Sequence, residues 1–230
     1  MSKVMATQHT LDFWTVAVPL GEGEKDALVS RLETYAVEWN KSVLADNEGK
    51  RTGYRIDYAG RQDWRGKLVW YVSIWGEGAL NMLFNIEDLQ RVPSRADFRI
   101  EFLTHGGTER FKEWRDATML KLDNKRNVNA FNSRDRKKTG ERDRGGLGIA
   151  VGSMKSQRRV TAYKSSASPH PVVECQYRGK KANIAGYELL KLIERCQGAE
   201  YKDFARMYKE WVEDNIYGVI EEFLCATPLE

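Results

Sequence analysis

Cysteine is scarce, with Cys175, Cys196 and Cys225 the only three in 230 residues. An odd number without metal-type spacing argues against both a disulfide framework and a zinc finger. Long apolar runs are missing as well. Nothing approaches the roughly 18 residues that a membrane-spanning helix needs, so no membrane partner is expected. The opening stretch MSKVMATQHT lacks the apolar core of a signal peptide, and the expectation is a cytoplasmic protein. Histidine is limited to His9, His105 and His170, each isolated from the others. There is no internal repeat. The closing Pro228-Leu229-Glu230 reads as an appended scar, which leaves room for a longer natural chain.

What is present supports a packed core. Hydrophobic residues make up 41%, with seven Trp, ten Tyr and eight Phe, enough for one large domain or two small ones. The net charge of +4 conceals a strong asymmetry. Residues 121–181 carry 16 Lys+Arg against 5 Asp+Glu, a local +11, and the remainder carries −7. A one-sided basic field suits a polyanion such as DNA or RNA, because phosphate contacts release counterions. The run KRNVNAFNSRDRKKTGERDRGG (125–146) has no hydrophobic period and reads as a solvated basic loop. Lys155, Arg158, Arg159, Lys164, Arg178, Lys180 and Lys181 carry the basic character into strand-like segments. The competing reading is a solvated surface without a ligand.

Periodicity predicts strands over 11–18, 51–59, 67–75, 95–103, 147–152, 158–164 and 171–178. Helical spacing is predicted over 22–40, 79–90 and 108–123, and over 182–224 with a break near Gly198. The expected fold class is α+β: a mostly antiparallel central sheet of about five strands, flanked by helices, with a C-terminal helical segment. Residues 1–181 are expected to form the α+β domain, and 182–230 a helical segment packed on it or following it.

Period-two spacing puts Asp97, Arg99 and Glu101 on one strand face, and Glu174, Gln176 and Arg178 on another. If those faces meet, Asp97, Glu101 and Glu174 form an oxygen cluster suited to a hard divalent cation, Mg²⁺ or Mn²⁺. The alternative is that the acids pair with Arg95, Arg99 and Arg178. Tyr163 shares a face with Thr161 and Arg159 inside the basic segment. It is read either as core, as a stacking platform for a base, or as a nucleophile that attacks a phosphodiester. Trp64 and Tyr177 are further candidates for base stacking, with core packing as the alternative.

Several ordered blocks carry a family resemblance. Gly152-Ser153, Lys155-Ser156, Tyr163 and the Glu174 to Arg178 strand lie in GLGIAVGSMKSQRRVTAYKSSASPHPVVECQYRGKKA, with SRADFRIEF and YVSIWGEGALNML upstream. Over roughly residues 50 to 190 the chain resembles the replication initiation factor family, the tyrosine initiators of small rolling-circle replicating plasmids. That resemblance implies Tyr163 as nicking nucleophile and Asp97, Glu101 and Glu174 as metal ligands. It also implies a 5′-phosphotyrosine intermediate, a freed 3′-hydroxyl primer, plasmid origin DNA as partner, and dimerisation or a host helicase contact through the C-terminal end. The sequence departs from the family at Met154, Thr161 and Lys164. Lys164 stands where Asp is expected and offers a basic group one position early. The two-histidine metal motif of relaxases is absent. The alternative function is a non-catalytic DNA-binding protein that recognises an origin or structured nucleic acid without nicking it.

Overall fold

The computed structural model describes residues 7–44, 52–102, 108–122, 127–131, 146–153, 155–165 and 170–224. β1 (Thr7–Leu20) and α1 (Glu22–Leu44) lead to β2 (Gly53–Gln62), β3 (Leu68–Trp75) and the short α2 (Ala79–Asn85). β4 (Pro93–Phe102), α3 (Thr108–Lys121), β5 (Val128–Phe131), β6 (Gly146–Val151), β7 (Arg158–Ser165) and β8 (Pro171–Arg178) follow. The chain closes with α4 (Gly179–Arg195) and α5 (Tyr201–Leu224). The architecture is α+β, and the strands form one sheet of eight in the order β2-β3-β1-β4-β8-β7-β6-β5. β1 with β3, β2 with β3, β5 with β6, and β6 with β7 pair antiparallel.

Three sequence expectations need correction. Among the described residues the sheet has eight strands rather than about five, and part of the predicted basic loop, Val128–Phe131, is strand β5. Four residues embedded in charged sequence are too few to show a period, and their pairing with Gly148–Val151 is what orders them. The rest of that basic segment, save Asn127 and Gly146, lies outside the described residues, as do His105, Met154 and Cys225. The helix expected over 79–90 also breaks. α2 stops at Asn85, where Ile86 turns extended, and a 3₁₀ turn covers Glu87–Leu89. The Gln90 amide then donates to the carbonyls of Leu83 and Phe84 at 3.2 and 2.9 Å, satisfying acceptors that the helix end leaves open.

The chain divides into two compact units, neither continuous in sequence. One comprises Met1–His9, Phe98–Gln176 and Trp211–Glu230, and the other Thr10–Asp97 and Tyr177–Glu210. In the second unit, Trp14, Val16, Val18 and Leu20 are buried at every other position of β1, opposite Ile74, Val72, Trp70 and Leu68 of β3. Helices cover this face. Lys25 of α1 lies 4.8 Å over the Trp70 ring, and Gly186 of α4 sits against Trp14. Leu28, Leu32 and Ala36 form the buried stripe of α1, at the spacing of one helical face. Each large side chain so buried contributes about 1.5–3 kcal/mol. In the first unit, Val212, Ile216, Ile220 and Leu224 are the buried stripe of α5, and Phe98 packs on Trp211 with ring centroids 5.3 Å apart. α3 packs against β6.

A Cβ added at Gly186 would lie 2.1 Å from Pro93 Cδ and 3.2 Å from the Trp14 ring. Alanine gains about 1 kcal/mol of helix propensity over glycine, but overpacking against a proline ring costs about 1–3 kcal/mol. Gly186→Ala is therefore expected to lower the denaturation midpoint, as urea unfolding would show.

Burial pushes the Tyr201 phenol up to about 12 and raises Tyr208 well above its ordinary value. Both rings keep their protons in the folded state when the unfolded chain, with its ordinary value of 10.0, releases them. The stabilisation is complete below pH 10 and is lost as pH rises from 10 towards about 12. Thermal melting should drop steeply in that window, with tyrosinate absorbance from these rings appearing only as helical signal disappears.

Candidate active site

Successive side chains of a strand point to opposite faces, so each strand's apolar alternates identify its core side. On β4 these are Phe98, Ile100 and Phe102, with Phe98 against Trp211 of α5. Asp97, Arg99 and Glu101 therefore occupy the other face of that strand. On β7 the apolar alternates are Val160 and Ala162, which leaves Arg159, Thr161 and Tyr163 opposite. On β8 they are Val173 and Cys175, which leaves Glu174 and Gln176 opposite. A strand that slipped by one residue would exchange its polar set with its apolar alternates and lose contacts such as Phe98 on Trp211, and that penalty holds the register.

Tyr163 and Glu174 meet on this polar face. The Tyr163 hydroxyl donates to Glu174 Oε1 at 2.6 Å, and the two residues are 5% and 3% exposed. A carboxyl so buried is costly unless hydrogen-bonded, and the phenol supplies such a bond. Register puts Gly148 beside Tyr163 and Ala150 beside Thr161, so the neighbouring strand adds almost no side chain next to the ring. Two further polar groups on these faces are nine-tenths buried, Arg99 and Thr161 at 7% exposure each. Arg99 Nε and Thr161 Oγ1 have no hydrogen-bond partner among the described residues. Sequence reading treated Arg99 as a neutralising neighbour and Thr161 as a departure, because only the fold shows their burial.

The three acids stand differently from the expected cluster. Asp97 is gripped by Arg95 through both guanidinium nitrogens Nε and Nη2, and Glu101 by Arg99 Nη2 at 2.9 Å. Among the described residues no group of three or more His, Cys, Asp or Glu is placed to hold a metal ion. Two-residue spacing on one strand face explains this, since each arginine lies beside its acid on the same side. The donor set as placed does not fit a divalent cation.

The basic residues fall on both units. In the first, Lys155 is exposed in the β6–β7 turn, Arg159 is half-buried on the Tyr163 face, and Lys164 is half-buried on the opposite face. Arg158 reaches Glu222 of α5 at 3.8 Å. In the second, Arg178 ends β8, and Lys180 and Lys181 lie in the first turn of α4. Tyr177 is 4% exposed, which removes it as a stacking surface, whereas Trp64 is 84% exposed. His170, half-buried, precedes β8.

The turn before β7 explains why the Gly-Ser and Lys-Ser steps are spaced as they are. Ser156 N donates to Ser153 O at 3.0 Å, and Ser153 N donates to Ser156 Oγ at 3.0 Å, closing a compact loop. Gly152 has φ +97, and a Cβ there would lie 2.8 Å from the Arg158 carbonyl oxygen. Gly152→Ala is expected to destabilise the first unit by about 1–3 kcal/mol, readable as a lower thermal midpoint together with weakened amide protection in β6 and β7.

No protein-family model matches the chain, and no curated protein matches it. Among solved structures, the chain is similar to one described as the rolling circle replication initiator protein from Geobacillus stearothermophilus, at 14% identity and a TM-score of 0.45. The similarity covers 81% of this chain and 80% of that one.

Proposed function

We propose that the protein is a replication initiator of the rolling-circle type, a cytoplasmic DNA-nicking and strand-transferring enzyme whose nucleophile is Tyr163. The observation that carries this reading is the 2.6 Å hydrogen bond from the Tyr163 hydroxyl to the buried Glu174 carboxylate. A phenol aligned on a carboxylate has a proton acceptor in contact, which is the arrangement an activated hydroxyl nucleophile needs. The resemblance of the sequence blocks to the initiator family implies the same role for Tyr163.

In the proposed step the Tyr163 oxygen attacks the scissile phosphorus as its proton passes to Glu174. The bond from phosphorus to the 3′-oxygen breaks, and that oxygen leaves as a 3′-hydroxyl after taking up a proton. The 5′ end stays on Tyr163 as a phosphotyrosine, and reversal on a new 3′-hydroxyl transfers the strand. Arg99 Nε and Thr161 Oγ1, buried donors without a partner among the described residues, are suited to the non-bridging phosphate oxygens. Lys155, Arg158, Arg159 and Lys164, and in the other unit Arg178, Lys180 and Lys181, would hold DNA backbone. The resemblance implies a divalent cation, but Asp97 and Glu101 are occupied by arginines, so no step is routed through one.

The 5% exposure of Tyr163 favours a second reading, in which the pair is a core hydrogen bond in a DNA-binding protein that does not cut. Incubation with supercoiled plasmid carrying the cognate origin separates the two, because a nicking enzyme relaxes it and a binder only shifts its mobility. Tyr163→Phe is expected to abolish covalent attachment to a nicked oligonucleotide while changing binding less than about threefold, a cost of well under 1 kcal/mol. Undiminished attachment by that variant removes Tyr163 from the role.

A further inference from the structure

The polar strand faces around Tyr163 carry buried atoms of opposite hydrogen-bonding character. Arg99 Nε on β4, Thr161 Oγ1 on β7 and Gln176 Oε1 on β8 are each shut off from solvent with no hydrogen-bond partner among the described residues. All of them belong to the first unit. The Arg99 nitrogen is a donor and the Thr161 hydroxyl serves as donor or acceptor, whereas the amide oxygen of Gln176 can only accept. A buried acceptor left unmet forfeits the bonds that it makes with water, and native structures keep few such atoms without a use.

The topology puts Gln176 next to the proposed chemistry. β7 ends at Ser165 and β8 begins at Pro171, and the two are neighbours in the sheet. So short a connection joins antiparallel strands, because a parallel crossover needs about a dozen residues or more. In such a pair one strand steps back as the other steps forward. From Tyr163 and Glu174, joined at 2.6 Å, the next residues on the same faces are Thr161 on β7 and Gln176 on β8. Thr161 is buried and Gln176 half-buried, and neither satisfies the other. On the far side of β7 the register partner of Thr161 is Ala150, so β6 supplies no polar side chain there.

We propose that Gln176 Oε1 holds the sugar 3′-hydroxyl released at the nick, an assignment that rests on the nicking reading and concerns its reversal. The scissile phosphate carries acceptors only, which suits the Arg99 and Thr161 donors and leaves the Gln176 oxygen unmatched. The 3′-hydroxyl is the one group of the cleaved linkage with a proton to donate. It exists only after cleavage, and a buried acceptor beside the nucleophile is its complement. Hydrogen-bonded to Gln176, the hydroxyl keeps its lone pairs for the phosphorus of the phosphotyrosine. In rejoining, the 3′-oxygen bonds to phosphorus and the bond from phosphorus to the Tyr163 oxygen breaks. Glu174 returns its proton to the phenol oxygen, and the proton of the 3′-hydroxyl passes to water. Gln176 neither gives nor takes a proton, and its part is orientation.

The test uses the full chain and a fluorescein-labelled oligonucleotide, the origin strand on the 5′ side of the nick, ending in either a 3′-hydroxyl or a 3′-deoxy sugar. Binding is read by fluorescence anisotropy. One hydrogen bond should make the parent prefer the hydroxyl end about three- to tenfold. Gln176→Met keeps the length of the side chain and removes the acceptor, so the preference should vanish. Gln176→Glu keeps an acceptor and should keep the preference, while its negative charge weakens both oligonucleotides alike. Circular dichroism melting checks the fold of each variant, with Gln176→Ala replacing Gln176→Met if the latter melts early. Equal affinity of the parent for both ends overturns the proposal. So does a preference that survives in Gln176→Met, or a loss that follows the terminal base instead of its hydroxyl. A parent that prefers the hydroxyl end but forms no covalent adduct refutes the nicking reading and keeps the hydroxyl contact, whereas adduct formation without the preference does the reverse.

Discussion

The hydrogen bond between Tyr163 and Glu174 ties β7 to β8 at a place where both side chains are buried. A buried carboxyl and a buried phenol both need hydrogen-bond partners, and the 2.6 Å bond supplies one to each. Their pairing converts two liabilities into one fixed geometry. It also puts the two side chains on the same side of their strands, which sets what surrounds the phenol. Gly148 and Ala150 leave room beside the ring, and Arg99 and Thr161 bring buried donors to strand faces of the same polar kind.

Much of the fold was legible because the strands alternate so cleanly. Each expected strand appears within a few residues of its predicted limits, and the break between α4 and α5 falls at Gly198, whose φ is +84. β5 was not legible, since its order comes from pairing with β6 and not from its own four residues. The end of α2 was hidden for a similar reason: Gln90 reaches back to two carbonyls, a contact that periodicity does not encode.

The site was legible in part. Faces can be assigned from period-two spacing, so Glu174 was a candidate from sequence. The pairing of Glu174 with Tyr163 could not be read, because it depends on how β7 and β8 are registered across their connection. The acids were harder to assign. Asp97 and Glu101 read equally well as metal ligands or as partners of Arg95 and Arg99, and the decision rests on rotamers.

The charge asymmetry acquires a location through this arrangement. The segment carrying +11 contains β5, β6, β7 and β8, so the nucleophile candidate stands on the strands that a polyanion would approach first. The most direct measurement is mass mapping of the covalent product formed with an origin-derived single strand. After trypsin, the account predicts a nucleotide adduct on the Val160–Lys164 peptide, which contains Tyr163 as its one tyrosine. An adduct on a peptide carrying a different tyrosine, or relaxed plasmid with no protein adduct at all, would contradict it.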